Sequence, residues 1–373
     1  MNSVAATGKK IFGLDLLRAT AIILVFFWHY KRYGIPGWLD GISDFGWTGV
    51  DLFFVLSGYL IGSQLFKLVA EDKPVSLSTF YIKRFFRIIP AYAAVLLLYY
   101  TIPVFPEKEG MAPLWKFLTF TMNFGLDFQN AGAFSHAWSL CIEEQFYLLF
   151  PLIVILLSRM KAGNKALLVM AALFVAGFVF RIYSWNTYIA PIYTDPNKAD
   201  LVGNLYSTCI YYPSYTRLDG LLVGVSIALL AIFKPAAMEK INAKPNVLFL
   251  GGIVVLVFTY LFCNTLFSFS NAAFSYPLVS TGYGFLVLAA LHPACFINHY
   301  RFKFFSFIAT LSYSIYLTHK ELNHLVFHFF LEHYAVSATV AFFICLAVAI
   351  LGGMVLHYSI EKPFLKLRDK WLK

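Results

Sequence analysis

Arg18 and His29 place a charged and a titratable side chain on one otherwise apolar segment, residues 13–32. An arginine at bilayer depth costs about 2.5–3.5 kcal/mol on insertion scales, so it needs a partner or a cavity. At about 1.5 Å of rise per helical residue, the two side chains lie roughly 16 Å apart along the axis. Histidine has an ordinary pKa near 6.5 and accepts and returns a proton close to neutral pH. The segment therefore predicts a functional site with His29 as general base; a buried structural histidine is the alternative.

Two adjacent carboxylates, Glu143 and Glu144, are candidates for orienting His29 and stabilising its cationic form. Neighbouring residues on a helix point about 100° apart, so only one of the two can face the base fully. We expect that residue to be Glu143. Glu144 then becomes a structural cap or an ion-pair partner.

The amino-acid composition indicates the class of protein that must position these residues. Of 373 residues, 60% are hydrophobic and 13% are charged, and the mean hydropathy is +0.71. These values are typical of a multi-span membrane protein rather than a soluble domain. The net charge of +10 comes from cations at segment ends, as membrane orientation signals do, so we expect no nucleic-acid partner. The five cysteines show no CxxC pair and predict no disulfide framework.

Windows of about 20 residues predict an all-α protein of about ten transmembrane helices in a single domain, 1–373. Basic residues fall in alternate loops, roughly twenty against five, and with Lys9 and Lys10 this places both termini in the cytoplasm. We expect the first span to be retained and no extracytoplasmic domain to be appended. The predicted spans are 13–32, 47–66, 87–104, 144–159, 166–184, 214–233, 246–263, 276–293, 304–326 and 334–357.

Seven motifs occur in order along the chain, and together they resemble the bacterial membrane acyltransferase-3 family. No single motif is specific, but seven at compatible spacing are. They are Arg18-x10-His29, the run Gly49 to Ile61 (GVDLFFVLSGYLI), Phe80 to Pro90 (FYIKRFFRIIP), Trp138 to Tyr147 (WSLCIEEQFY), Arg217 to Gly224 (RLDGLLVG), Ser312 to His319 (SYSIYLTH) and Glu361 to Phe364 (EKPF).

The resemblance implies a ten-helix enzyme of the bacterial cytoplasmic membrane. It would take an acyl group, usually acetyl, from cytoplasmic acyl-coenzyme A and place it on a hydroxyl of a glycan or related acceptor at the extracytoplasmic side. A separate extracytoplasmic transferase could complete the transfer. The proposed cofactor is acetyl-CoA or another acyl-CoA as donor, and membrane lipid surrounds the protein.

The donor requires cations, because its phosphates are strongly anionic. Lys83, Arg84 and Arg87 form a basic edge that we expect to meet them, with the pantetheine arm passing Arg18 toward His29. A plain orientation signal is the alternative for that edge, and an ion pair with a carboxylate such as Asp15 is the alternative for Arg18.

Small and aromatic residues complete the predicted site. Ser57 and Gly58 either let a thin acyl-pantetheine chain pass or let two helices pack closely. On the acceptor side we place Trp138, Arg217, Asp219, Tyr316 and His319, with paired structural ions as the alternative for Arg217 and Asp219 and with His319 as the second candidate for proton transfer.

Three alternatives to this interpretation are a metal site, a transporter and a structural scaffold. His324 and His328 have a spacing compatible with a metal, but nothing else in the sequence completes a metal signature, so we expect no metal. A proton-coupled transporter could use the same buried arginine, histidine and glutamate residues, and it is the alternative function. A structural scaffold would leave the buried charges unexplained.

Overall fold

A computed structural model describes residues 11–160, 163–263, 265–334 and 336–372, without the side chains of 163–165. Lys9 and Lys10, on which the predicted orientation partly depends, lie outside these residues. Within them the regular structure is helical, apart from an isolated β-bridge between Met111 and Gly132. The all-α prediction is confirmed.

Of eleven longer helices among the described residues, the first ten overlap the predicted spans in order and the last lies beyond them. They are α1 (Phe12–Tyr30), α2 (Gly49–Ala70), α3 (Leu77–Thr101), α4 (Trp138–Arg159), α5 (Gly163–Ser184), α6 (Asp219–Phe233), α7 (Pro245–Phe262), α8 (Tyr276–Leu291), α9 (Lys303–Phe329), α10 (Ala338–Leu356) and α11 (Lys362–Trp371).

Seven of these helices, α1, α2, α4, α5, α7, α8 and α10, are long and apolar enough to cross a membrane among the residues searched. An eighth span results if α6 is counted with the short helix Pro235–Ile241, which is bent from it by 117°. On α7, Val254 and Leu261 each remain 66% exposed, as lipid-facing side chains do. The count of ten and the cytoplasmic termini stay predictions.

The contacts divide the chain into two units. Unit 1 lies within residues 1–14, 51–75 and 110–301, and contains most of α2 and all of α4 to α8. In this unit α7 and α8 approach closely at glycines, since a Cβ on Gly252 would lie 2.8 Å from the Gly282 carbonyl oxygen. Gly224 of α6 likewise sits against the backbone of α2, so small residues set the helix spacing.

Unit 2 lies within residues 15–50, 76–109 and 302–373, and contains most of α1 together with α3 and α9 to α11. Its apolar core includes Phe26 and Tyr30 of α1 and Phe342 and Cys345 of α10. Ser76 caps α3 by accepting a hydrogen bond from the Thr79 amide, and Ser337 caps α10 in the same way. A π-helical turn, His357–Glu361, connects α10 to α11.

Candidate functional site

In unit 2 the predicted base His29 lies beside a second histidine. Its Nδ1 is 2.8 Å from Nε2 of His319, and the two ring centroids are 4.9 Å apart. His29 comes from the last turn of α1 and is half-buried, whereas His319 lies in the middle of α9 and is fully buried. The ring of Phe26 packs against that of His319, with the two ring centroids 6.4 Å apart. Helices α1 and α9 thus bring together two residues that are 290 positions apart in the sequence.

The hydrogen bonds of His319 assign the protons of the pair. Its Nδ1 lies 3.0 Å from the carbonyl oxygen of Ile315 and 2.9 Å from that of Tyr316. A carbonyl only accepts, so Nδ1 of His319 carries the hydrogen, and in the neutral ring Nε2 is then an acceptor. His29 must therefore donate from Nδ1, which leaves the lone pair of its own ring on Nε2. This is the arrangement that a general base requires.

A buried ion pair anchors the segment next to this histidine pair. Lys320 follows His319 directly, and its Nζ is 2.6 Å from Glu107, which also accepts a hydrogen bond of 3.0 Å from the Tyr99 hydroxyl. The loop carrying Glu107 is thereby fastened to α3 and α9. Burial, with the nearby cations Lys320 and Arg32, lowers the pKa of Lys108 in the same loop.

One residue near the histidine pair escaped the sequence interpretation. Asn323 lies one helical turn beyond His319 on α9, and its side chain is fully buried. Among the described residues, neither its Nδ2 nor its Oδ1 has a hydrogen-bond partner. Buried amides are normally satisfied, so one left open indicates a missing water or ligand. Its i+4 spacing from His319 was the signal available in the sequence.

Arg18 and Tyr316 belong to the same unit as the histidine pair. Arg18 lies on α1 about three turns before His29 and is half-buried. Tyr316 is a buried residue of α9, and its ring centroid is 6.1 Å from that of His319. The continuous helix α1 agrees with the axial separation expected for Arg18 and His29.

The three residues of the basic edge, all on α3, have different environments. Arg87 forms an ion pair with the buried carboxylate of Glu361, which also lies 2.7 Å from the Ser314 hydroxyl and 2.9 Å from Nδ1 of His357. Lys83 is half-buried, and the Arg84 guanidinium lies 5.9 Å from the Phe80 ring. Arg87 therefore connects helices, and Lys83 and Arg84 are the stronger candidates for a phosphate.

Unit 1 places Ser57, Tyr147 and Glu143 in a chain of hydrogen bonds. The Tyr147 hydroxyl donates to Glu143 Oε2 at 3.0 Å and is itself within hydrogen-bonding distance of the Ser57 hydroxyl. Since the phenol has one hydrogen, Ser57 is the donor in the second bond. Glu144 is half-buried on α4. His29 belongs to unit 2, so its orientation by Glu143 or Glu144 stays a prediction.

Two buried ion pairs of unit 1 involve the predicted acceptor-side residues. Nη2 of Arg217 lies 3.0 and 3.1 Å from the two oxygens of Asp51, and Arg181 contacts Asp219 at 2.7 and 3.1 Å. All four side chains are at most 2% exposed. The alternative of paired structural ions accounts for these contacts. Sequence reasoning missed Arg181, although an arginine within the apolar α5 signals a carboxylate partner.

Aromatic rings surround the Arg217 guanidinium. Its central carbon lies 4.0 Å from the ring centroid of Tyr276, 4.8 Å from that of Tyr211 and 5.3 Å from that of Trp138. Each ring face is electron-rich and favours the cation. Trp138 therefore packs on a buried charge of its own unit.

Gly58 lies where α2 and α6 cross. A Cβ built on it would come 2.1 Å from the carbonyl oxygen of Leu221, and one built on Gly224 would come 2.1 Å from that of Val55. Backbones this close leave no room for a side chain. Close helix packing is thus the better account of Gly58.

Comparisons with known proteins give a family model and several relatives that match this chain. A family model for the acyltransferase-3 domain, described as "Acyltransferase domain", matches residues 11–358. A peptidoglycan O-acetyltransferase of Listeria monocytogenes, OatA, is 29% identical over 83% of this chain and 49% of its own length. A Staphylococcus aureus O-acetyltransferase, also OatA, is 30% identical over 95% of this chain and 57% of its own length. A putative O-acetyltransferase of S. aureus is 28% identical over 96% of this chain and 58% of its own length.

The chain therefore spans about half to three fifths of the length of these relatives. No solved structure gave a significant match. The family model covers nearly all the described helices, and the apolar helices agree with it in indicating a multi-pass membrane protein. On these grounds, the chain belongs to the acyltransferase-3 family.

Proposed function

We propose that this protein is a membrane O-acyltransferase that moves an acyl group, most simply acetyl, from acyl-coenzyme A to a hydroxyl group of a glycan or related acceptor. The observation that carries the proposal is the histidine pair of unit 2, in which the lone pair falls on Nε2 of His29. The names of the relatives support acetyl as the group and cell-wall glycan as the acceptor class.

The reaction needs one proton carrier. The acceptor hydroxyl gives its proton to Nε2 of His29 while its oxygen attacks the thioester carbonyl carbon. When the tetrahedral intermediate collapses, the carbon–sulfur bond breaks and His29 gives this proton to the departing coenzyme A thiolate. His319 holds His29 through Nδ1 during both steps, in the position that a carboxylate occupies in hydrolase triads.

The transition state also needs a donor for the developing oxyanion. Asn323 is suited to this, because its buried amide has a hydrogen-bond donor that no described residue occupies. Amide side chains in oxyanion holes typically contribute 10²–10³-fold in kcat. Arg18, with its fork of donors on the helix of His29, is the candidate for holding the carbonyl or pantetheine oxygens of the arriving donor.

Donor and acceptor are proposed to reach the site from opposite sides of a bacterial cytoplasmic membrane. The basic edge at Lys83 and Arg84 suits the phosphates of coenzyme A, while the loop of Glu107 lies near the opposite end of α3. An extracytoplasmic transferase is a proposed partner for onward transfer to the final glycan.

Purified protein in sealed vesicles of known orientation tests the proposal. Labelled acetyl-CoA is supplied at one face, and coenzyme A release and label on protein or added glycan are measured for wild type and His29→Gln. We expect release from wild type, from one face only, and a loss of roughly 10²–10⁴-fold in the variant.

Release that does not depend on His29 would remove it as the base. If wild type released no coenzyme A with any acyl donor and acceptor supplied, but moved protons along a gradient, the transporter alternative would replace the enzyme. Label retained on the protein would indicate a covalent relay rather than direct transfer.

A further inference from the structure

Unit 1 contains an apolar cleft of about 270 Å³ where α2, α4 and α6 end and α5 begins. Four helices line it, through residues that include Phe66 of α2, Val154 of α4, Met170 of α5 and Leu229 of α6. Among the described lining residues Ser158 is the polar one, and its hydroxyl donates to a carbonyl of its own helix at 2.8 Å. The walls therefore offer contact to hydrocarbon and little to a polar ligand.

Exposed cations directly follow three of the lining residues in the sequence. Arg159 comes directly after Ser158, and Lys234 directly after Phe233, which also lines the cleft. Lys67 follows Phe66, but its Nζ lies 3.8 Å from Glu71, which offsets its charge. Among the described cations that directly follow lining residues, Arg159 and Lys234 are therefore the two that we assign to the rim, at an end of the unit that the basic-residue pattern predicts to be cytoplasmic.

We propose that the cleft binds one acyl chain of an anionic phospholipid, with the phosphate at Arg159 and Lys234. A cleft of about 270 Å³ admits part of one acyl chain, and its apolar lining favours hydrocarbon over a polar ligand. Basic residues beside apolar pockets at the cytoplasmic side attract anionic head groups, and the guanidinium fork fits phosphate oxygens.

The cleft shares no residue with the proposed chemistry. None of its lining or rim residues belongs to the histidine pair, the basic edge of α3 or the acceptor-side set. A long-chain acyl-coenzyme A combines the same two chemistries, an apolar chain and phosphates, so the test must distinguish it from a phospholipid.

Full-length protein is reconstituted in nanodiscs of equal phosphatidylglycerol and phosphatidylcholine with matched chains, and the lipids retained after transfer to detergent are counted by native mass spectrometry. We expect wild type to retain one phosphatidylglycerol. Arg159→Gln with Lys234→Gln should lower the preference for that lipid by about fivefold for each charge removed. Lys303→Gln, an exposed cation at the start of α9, should keep the wild-type preference.

A second set of variants fills the cleft. Met170→Trp and the milder Val154→Phe should each reduce retention of both lipids, while their thermal unfolding shows that they are folded. Equal retention of the two lipids by wild type would overturn the head-group assignment, and undiminished retention by both filled variants would overturn the cleft as the site. Displacement of phosphatidylglycerol by an equimolar amount of palmitoyl-coenzyme A would reassign the cleft to the acyl donor.

Discussion

The hydrogen bond between His29 and His319 decides which nitrogen can react. Both rings are neutral in the assigned arrangement, so the histidine pair itself carries no net charge in the resting protein. Charge arises only when a substrate proton reaches Nε2 of His29. A site of this kind avoids the cost of burying a permanent cation.

His319 should act as the positioning partner of His29. In His319→Gln the amide oxygen can still accept the Nδ1 hydrogen of His29, whereas His319→Ala removes the acceptor. We therefore expect kcat to fall much less in the glutamine variant than in the alanine variant, with an unchanged KM for the acyl donor. Steady-state kinetics on both variants check this. Equal losses in the two variants would show that the hydrogen bond to His29 is not what matters.

Asn323 should affect the chemical step rather than donor binding. Replacing it by alanine removes the amide donor, and we expect kcat to fall about 10²–10³-fold, as for other oxyanion donors. Asn323→Asp has nearly the same shape but presents a carboxylate, so it should be at least as impaired. The measurement is the single-turnover rate with acetyl-CoA at saturation. Wild-type rates in the alanine variant would exclude this role.

Sequence reasoning found His29 because a lone histidine in an apolar segment is conspicuous by its residue type. It could not identify the partner, because His29 and His319 are 290 residues apart and no local pattern links them. Asn323 went unnoticed because a single asparagine in a mixed helix is ordinary. Its significance comes from complete burial with no hydrogen-bond partner among the residues that the structure describes, which only the fold shows.

The packing of the helices in unit 1 depends on close crossings at glycine residues. Gly58→Ala would place a methyl group against the Leu221 carbonyl, and we expect a loss of about 1–3 kcal/mol in stability, as for other overpacked contacts. Gly251→Ala on α7 is the matched control, since no atom of the described part of the chain lies within 4 Å of its added Cβ. Thermal unfolding in detergent compares the two. Equal midpoints would contradict a tight crossing of α2 and α6.

Buried ion pairs hold the same unit together. Arg217→Met leaves the Asp51 carboxylate buried without its cation, and we expect a loss of about 3–5 kcal/mol. Adding Asp51→Asn removes the stranded charge and should recover part of that loss. Denaturant or heat titration of both variants measures it. A double variant no more stable than the single one would argue against a direct ion pair.

Helix prediction worked where a single physical signal dominates. About 20 apolar residues are needed to cross the hydrocarbon core, and the helices from α1 to α10 overlap the ten predicted spans. α3 and α9 are not among the seven helices apolar enough to cross a membrane. Basic residues on these two helices, such as Arg87 and Lys320, have acidic partners within unit 2 that the sequence pattern could not identify.

At the scale of the whole molecule, orientation is the property that most needs measurement. Single cysteines at Gln129 and Glu239, both exposed, should fall on opposite sides if the basic-residue pattern is right. In a variant without the five native cysteines, an impermeant maleimide should label the first from outside the cell and the second only after permeabilisation. Labelling of both from the same side would contradict the predicted topology.

The ion pair between Arg87 and Glu361 has a practical consequence for anyone preparing shortened versions of this protein. The family match ends at residue 358, three positions (361 − 358) before Glu361. A protein shortened at that boundary would lack Glu361. Arg87 of α3 would then lose its ion-pair partner, and Ser314 and His357 would lose their shared hydrogen-bond acceptor. Expression trials, purification tags and chimeras should therefore retain the chain through Glu361 and attach any fusion after α11.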